Sequence, residues 1–236
     1  MRVAALIPAR NEAGALPGVL ADLARVARGI EGVRLIEIVV VDNGSSDATA
    51  EVARAAGATV VAEPCRGYGA ACLTGLDHLR RSPPDVVAFL DGDASDDPAD
   101  LPALIAPIAA GEVDLAIGSR TLGTREAGAL TPVQELGNAL AASMIRALFG
   151  ARVSDLGPFR VARWEALERL GMRDRDYGWT VEMQTRALRA HLRCREVPVR
   201  YRRRRTGRSK VAGTLRGAVF AGAKILWTIV RVRLGG

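Results

Sequence analysis

The chain has 236 residues, 49% of them hydrophobic and 25% charged, and a net charge of +7. This is the length of one large domain and the composition of a chain with a sizeable core, which excludes disorder over most of it. The positive balance favours anionic partners, but arginine recurs throughout and lysine stands only at Lys210 and Lys224, so a lysine in a suggestive place says more than the arginine count.

The N-terminus has Arg2 and then a very short apolar run, which reads as a first strand rather than a signal peptide. Residues 3–8 form that strand, and Leu16, Val19, Leu20, Leu23 and Val26 follow at helical spacing. Residues 36–41 are β-branched and end in Asp42; a helix over 48–56 stops at Gly57. Strand 59–62, helix 68–81, strand 86–90, helix 98–110 and strand 115–118 complete the first half. Residues 121–131 read as a loop rich in Gly and small residues. Helices are expected at 133–149, 164–170 and 180–192, and strands at 154–161 and 196–201. A basic run over 202–210 leads to a final helix over 214–234.

Alternating strands and helices imply an α/β fold: a mostly parallel sheet flanked by helices. The expected division is a domain over 1–212, with a nucleotide half (1–120) and an acceptor half (121–212), then a C-terminal amphipathic helix over 213–236. Cys65, Cys72 and Cys194 show no metal-site spacing and no disulfide framework, so they are expected as free thiols in a reducing compartment. No run of eighteen uncharged apolar residues exists, and no membrane span is expected. The expected location is the cytoplasm.

In such sheets ligands bind at the C-terminal strand ends. That rule selects residues 8–12, 42–45, 91–95 and 118–120, all polar sets behind apolar strands. The sharpest is Asp91-Gly92-Asp93. Two carboxylates on a tight turn suit a hard divalent cation, Mg2+ or Mn2+, bridging to substrate phosphates. Asp96 or Asp97, before Pro98, reads as a helix cap. Asp91-x-Asp93-x-Ser95 also resembles the nucleophile loop of haloacid-dehalogenase-type phosphatases, though three strands precede it here. Gly67-Tyr68-Gly69 resembles a degraded dinucleotide fingerprint after the wrong strand.

Taken together, Pro8-Ala9-Arg10-Asn11-Glu12, Asp42-Asn43-Gly44-Ser45, Asp91-Gly92-Asp93 and Gly118-Ser119-Arg120 resemble family 2 glycosyltransferases of the GT-A fold. The resemblance implies that Pro8, Arg10, Glu12 and Asp42 line the base and ribose of a UDP- or GDP-linked donor. Asn11, Gly44, Ser45 and Gly92 belong to the same strand-end sets. Asp91, Asp93 and Ser95 would hold the metal, and Arg120 would face the diphosphate. Segments 154–160, 177–183 and 204–210 look like those of dolichyl-phosphate (polyprenyl-phosphate) sugar synthases, extending the likeness over residues 3 to about 213. It implies an inverting transfer to polyprenyl phosphate. Ser95 stands where those synthases often carry Gln, and Pro158 where a smaller or polar residue is commoner.

A phosphate acceptor, with its second pKa near 6, is already a nucleophile and needs positioning, for which Arg204 and Lys210 are candidates. A hydroxyl on a soluble acceptor needs a general base, for which Glu182 and Asp155 are candidates. Nucleic acid is not expected, since Tyr201 is the only aromatic beside the basic run. The final helix suits either packing on the domain or peripheral contact with an anionic membrane.

Overall fold

The computed structural model describes residues 1–205 and 215–236. Seven strands form one sheet: β1 (Arg2–Ala9), β2 (Arg34–Asp42), β3 (Thr59–Ala62), β4 (Val86–Phe89), β5 (Leu115–Arg125), β6 (Arg160–Arg163) and β7 (Cys194–Tyr201), in the order β3-β2-β1-β4-β6-β5-β7. All neighbours run parallel except β6, which is antiparallel to both β4 and β5. One sheet therefore crosses both expected halves of the chain.

Helices α1 (Leu16–Arg28), α2 (Thr49–Ala55), α3 (Tyr68–Leu79), α4 (Leu101–Ala109), α6 (Trp164–Leu170) and α7 (Trp179–Arg189) cover the two faces. Along β1, Val3, Ala5, Ile7 and Ala9 enter one core with Leu16, Leu20 and Leu23 of α1 and Leu104 and Ile108 of α4. Ala4 and Leu6 enter the opposite core with Cys72 and Leu76 of α3 and Trp179 and Met183 of α7. Side chains alternate along a strand, so a strand covered on both faces must be apolar throughout. Each fully buried Leu contributes about 1.5–3 kcal/mol. A third cluster joins α5 (Pro132–Phe149), α7 and α8 (Leu215–Arg233) through Ala141, Ile145, Val181 and Ile229. Thr131 and Gln134 cap α5 reciprocally, and Gly150 ends it in the left-handed conformation.

The structure corrects the reading at three places. The loop expected from residue 121 starts later, because β5 continues to Arg125 beside β7 across an irregularity between Ser119 and Thr124. Gly123 makes this approach feasible: a Cβ there would lie 2.0 Å from the Val199 carbonyl oxygen. The strand expected at 154–161 shrinks to Arg160–Arg163, since the amides of Ser154 and Asp155 bond to the Glu196 carboxylate instead of a strand. Helix 98–110 divides into a 3-10 turn at Pro98–Asp100 and α4.

Candidate active site

Strands β1, β2 and β4 end side by side, so their following loops meet. Asn11 takes a left-handed conformation (φ 54°) that turns its amide onto the Ser45 hydroxyl at 3.0 Å. The Ser46 amide donates back to Asn11 Oδ1 at 2.8 Å, and the Glu12 amide donates to Thr49 Oγ1 at 2.9 Å. Ser45 N donates to Asp42 Oδ1 at 3.1 Å across Gly44, which sits at φ 71°. The first two strand-end sets, from Pro8 and Arg10 to Asp42 and Ser45, thus form one rigid rim.

The third loop carries the carboxylates. Asp93 and Ser95 are buried, and the Ser95 amide donates to Asp93 Oδ1 at 2.9 Å. Gly92 is buried against Ile7 and Leu16, and Ala94 at φ 64° completes the turn. Asp96 is not the helix cap. Asp97 caps the 3-10 turn through Ala99 N, whereas Asp96 accepts the Asp91 amide at 3.0 Å. Three carboxylates thus crowd one turn. Burial, then the negative Asp96 and Asp93, hold Asp91 well above the usual carboxylate range. Burial pushes Asp96 up to about 7. Asp91 Oδ1 is a buried oxygen without a hydrogen-bond partner. Tyr68 lies against the same carboxyl group and partly offsets its raised pKa; the sequence offered Tyr68 only within the Gly67-Tyr68-Gly69 fragment, not as a neighbour of Asp91.

Arg204 reaches both this turn and Glu12, which lies 192 residues before it. Its Nη1 lies 2.6 Å from Glu12 Oε1 and its Nη2 lies 2.8 Å from Asp93 Oδ2. Arg202 pairs with Asp97, and Arg200 with Asp100 at 2.8 Å, which pins β7 along the carboxylate turn. The expected basic segment is therefore partly beside the acidic one, in a way that only the fold could reveal. Lys210 lies outside the described residues.

Arg120 and Asp155 form a pair. Arg120 Nε and Nη2 meet the two carboxylate oxygens of Asp155 at 2.8 and 2.7 Å, and the Arg120 amide adds a bond of 2.7 Å. The guanidinium also stacks 5.0 Å over Tyr201. Burial alone would lower its pKa, yet Asp155 holds it above the ordinary value. Glu182 is fully buried and accepts from the amides of Arg173 and Asp174 and from Arg186 and Arg231. Its carboxylate partners come from α7, α8 and the loop before α7, and none is a strand-end residue. Gly67 and Gly69 serve packing: a Cβ at either would lie about 2 Å from the carbonyl of Arg175 or Asp174.

Among the described residues no group of three His, Cys, Asp or Glu side chains converges as a closed metal site. The donor set still fits a hard cation that completes its shell with phosphate oxygens: clustered carboxylates, raised affinity for positive charge, and one orphan oxygen.

Residues 4–171 match the family described as Glycosyl transferase family 2. The chain is a family 2 glycosyltransferase. An uncharacterized glycosyltransferase of Mycobacterium tuberculosis is 40% identical over 220 residues, covering 93% of this chain and 94% of that one. The undecaprenyl-phosphate mannosyltransferase of Micrococcus luteus is 30% identical over 253 residues and covers 100% of both chains. Glucosyl-3-phosphoglycerate synthase from M. tuberculosis, solved with Mn2+, UDP and glucosyl-3-phosphoglycerate, superposes with a TM-score of 0.75 at 24% identity, covering 99% of this chain and 80% of that one. This last likeness concerns the fold. Family membership displaces the phosphatase reading of Asp91. No helix among the described residues is long and apolar enough to cross a membrane.

Proposed function

We propose that this glycosyltransferase moves a hexose, with inversion, from a UDP- or GDP-sugar to polyprenyl phosphate, with Mg2+ or Mn2+ at Asp91 and Asp93. The observation that carries the acceptor choice is the saturation of Asp155 and Glu182. Arg120 occupies both oxygens of Asp155. Two arginines and two amides occupy Glu182. Neither is available to take a proton from a hydroxyl, whereas a phosphate monoester needs no base. The full-length similarity to an undecaprenyl-phosphate mannosyltransferase supports the same choice.

The rim of Pro8, Arg10, Asn11, Glu12, Asp42, Gly44 and Ser45 would seat the base and ribose. Holding the donor there fixes its anomeric carbon for in-line attack. Asp91 and Asp93, with Ser95, would hold a divalent cation whose chemistry there is to neutralise charge on the departing diphosphate. Asp155 holds the Arg120 guanidinium rigid, so that preorganised positive charge faces the same developing anion. Arg204 already lies at Asp93, so an incoming diphosphate would recruit it from the Glu12 contact. Lys210 is proposed as a second phosphate contact.

A thermal-shift panel of UDP, GDP and their sugar conjugates, with and without Mn2+ or Mg2+, tests the donor. A ligand of the native state raises stability by about 2.7 kcal/mol at a hundredfold excess over its Kd. A metal-dependent shift with one nucleotide is expected, and no shift with any of them would contradict the donor site. Mass analysis of polyprenyl phosphate incubated with that donor then tests the acceptor.

A further inference from the structure

Helix α8 has two faces. Ala221, Thr228, Ile229 and Val232 are buried inward. Lys224 and Arg231 reach Asp174 at 3.1 and 3.7 Å, and Arg231 also reaches Glu182 at 3.2 Å. The inner side is thus fully committed to α5, α7 and the loop before α7. Phe220, Ala223, Trp227, Val230 and Leu234 recur three and four residues apart on the opposite side. Phe220 is 76% exposed, Trp227 60% and Leu234 80%. Beside it, α5 repeats the pattern: Ala141, Ala142 and Ile145 are buried, while Val133, Leu136 and Leu140 are 44%, 72% and 52% exposed. These six account for all but one of the large apolar side chains exposed among the described residues. Single exposed apolar residues need no explanation, but an aligned stripe on each of two packed helices does.

Charge identifies the occupant. Residues 197–236 contain eleven Arg and Lys and no Asp or Glu. The preceding 196 residues contain 22 Arg and Lys against 26 Asp and Glu, so the positive balance of the protein resides entirely in the segment that carries α8. A second copy docking through α8 would bring two such segments together. An anionic surface would attract one. Trp and Phe flanked by cations suit a headgroup boundary.

We infer that the outward face of α8, with that of α5 beside it, docks the enzyme on an anionic lipid bilayer. The inference rests on the polyprenyl-phosphate reading, in which the acceptor is itself anchored in that bilayer. The inner salt bridges fix α8 to the loop before α7, so docking needs no rearrangement of the domain.

Co-sedimentation of the full chain with vesicles tests this, using phosphatidylcholine alone and phosphatidylcholine mixed with phosphatidylglycerol. Binding to the mixed vesicles only is expected, weakening with salt. Emission should shift to the blue, and Trp227→Ser should remove the shift, because Trp179 is buried and Trp164 half-buried. Combining Phe220→Ser with Trp227→Ser should weaken vesicle binding more than about tenfold. Melting temperature and transfer to a water-soluble short-chain prenyl phosphate should be unchanged. Failure of the wild-type chain to bind either vesicle would overturn the inference, as would equal binding by the double variant. A wild-type dimer that the double variant splits would assign the face to a second copy instead. Vesicle binding without transfer to any prenyl phosphate would sink the acceptor reading and leave the surface standing; transfer without vesicle binding would do the reverse.

Discussion

Two groups of buried or half-buried carboxylates sit in this protein, and they differ in who neutralises them. Asp155, Asp174 and Glu182 are enclosed by Arg120, Lys224, Arg186 and Arg231. Asp91, Asp93 and Asp96 crowd a single turn and have Arg204 as their one paired cation among the described residues. In the first group each charge has a partner, and its removal would leave arginines uncompensated in the interior. In the second, burial and mutual repulsion raise the cost of ionisation. Each group keeps one buried oxygen without a hydrogen-bond donor, but Asp174 Oδ2 has Lys224 3.1 Å away, whereas Asp91 has no ion-pair partner among the described residues. A charge-paired buried anion fastens elements together, whereas the crowded carboxylates at the parallel strand ends are where the proposed cation would sit.

Breaking each group should have opposite consequences. The largest expected effect is on activity: Asp93→Ala should lower transfer by at least about a hundredfold, by analogy with losing one preorganised charge contact. Its thermal midpoint should stay near the wild-type value, which separates lost chemistry from lost folding. Glu182→Ala should do the reverse. Leaving Arg186 and Arg231 buried without their partner should cost about 3–5 kcal/mol in urea unfolding. Nucleotide affinity at concentrations where the variant is folded should change little.

A smaller effect is expected at the pair that joins the two groups. Asp155→Asn keeps the shape but weakens the hold on Arg120, so kcat should fall about tenfold or more while the donor still binds. Unaltered kcat would remove Arg120 from the reaction. Smallest is the effect of Asp96→Asn. The folded-state pKa of Asp96, about 7, lies above the unfolded value near 3.9. Between those values the native state keeps a proton that the unfolded chain has lost, so the metal-free protein loses stability as pH rises from about 4 to about 7. Asp96→Asn should flatten that slope, as read from urea midpoints across the range. An unchanged slope would show that Asp96 does not carry it.

The sequence showed Asp155 and Glu182 of the first group without their partners, and the second group in part. Asp91 and Asp93 stood out because an apolar strand delivers them to a strand end, and position there is a local property. Asp96 did not, because Asp before Pro is an ordinary capping signal; only the structure shows that Asp97 does the capping and Asp96 turns inward. The rim residues from Pro8 to Ser45 were legible for the same local reason as Asp91. Glu182 and Asp155 read as acid–base candidates since a sequence shows a carboxylate but not its partners, and Arg231 lies 49 residues from Glu182. Arg204 was read as a phosphate contact, while its bridge between Glu12 and Asp93 is purely tertiary. The unbroken apolar run of β1 and the helical spacing of α1 are local signals, and both elements were legible from them. The extension of β5 escaped notice, since Gly123 resembles a loop residue until β7 is laid against it.

Isothermal titration of UDP and GDP into the wild-type chain and Asp93→Ala, each with and without Mn2+, bears most directly on the crowded carboxylate cluster. If Asp91 and Asp93 await a cation carried with a diphosphate, one nucleotide should bind the wild-type chain tightly only with Mn2+, and Asp93→Ala should lose that binding. Equal affinity with and without the metal, or an Asp93→Ala variant that binds like wild type, would show that the cluster is not the cation site.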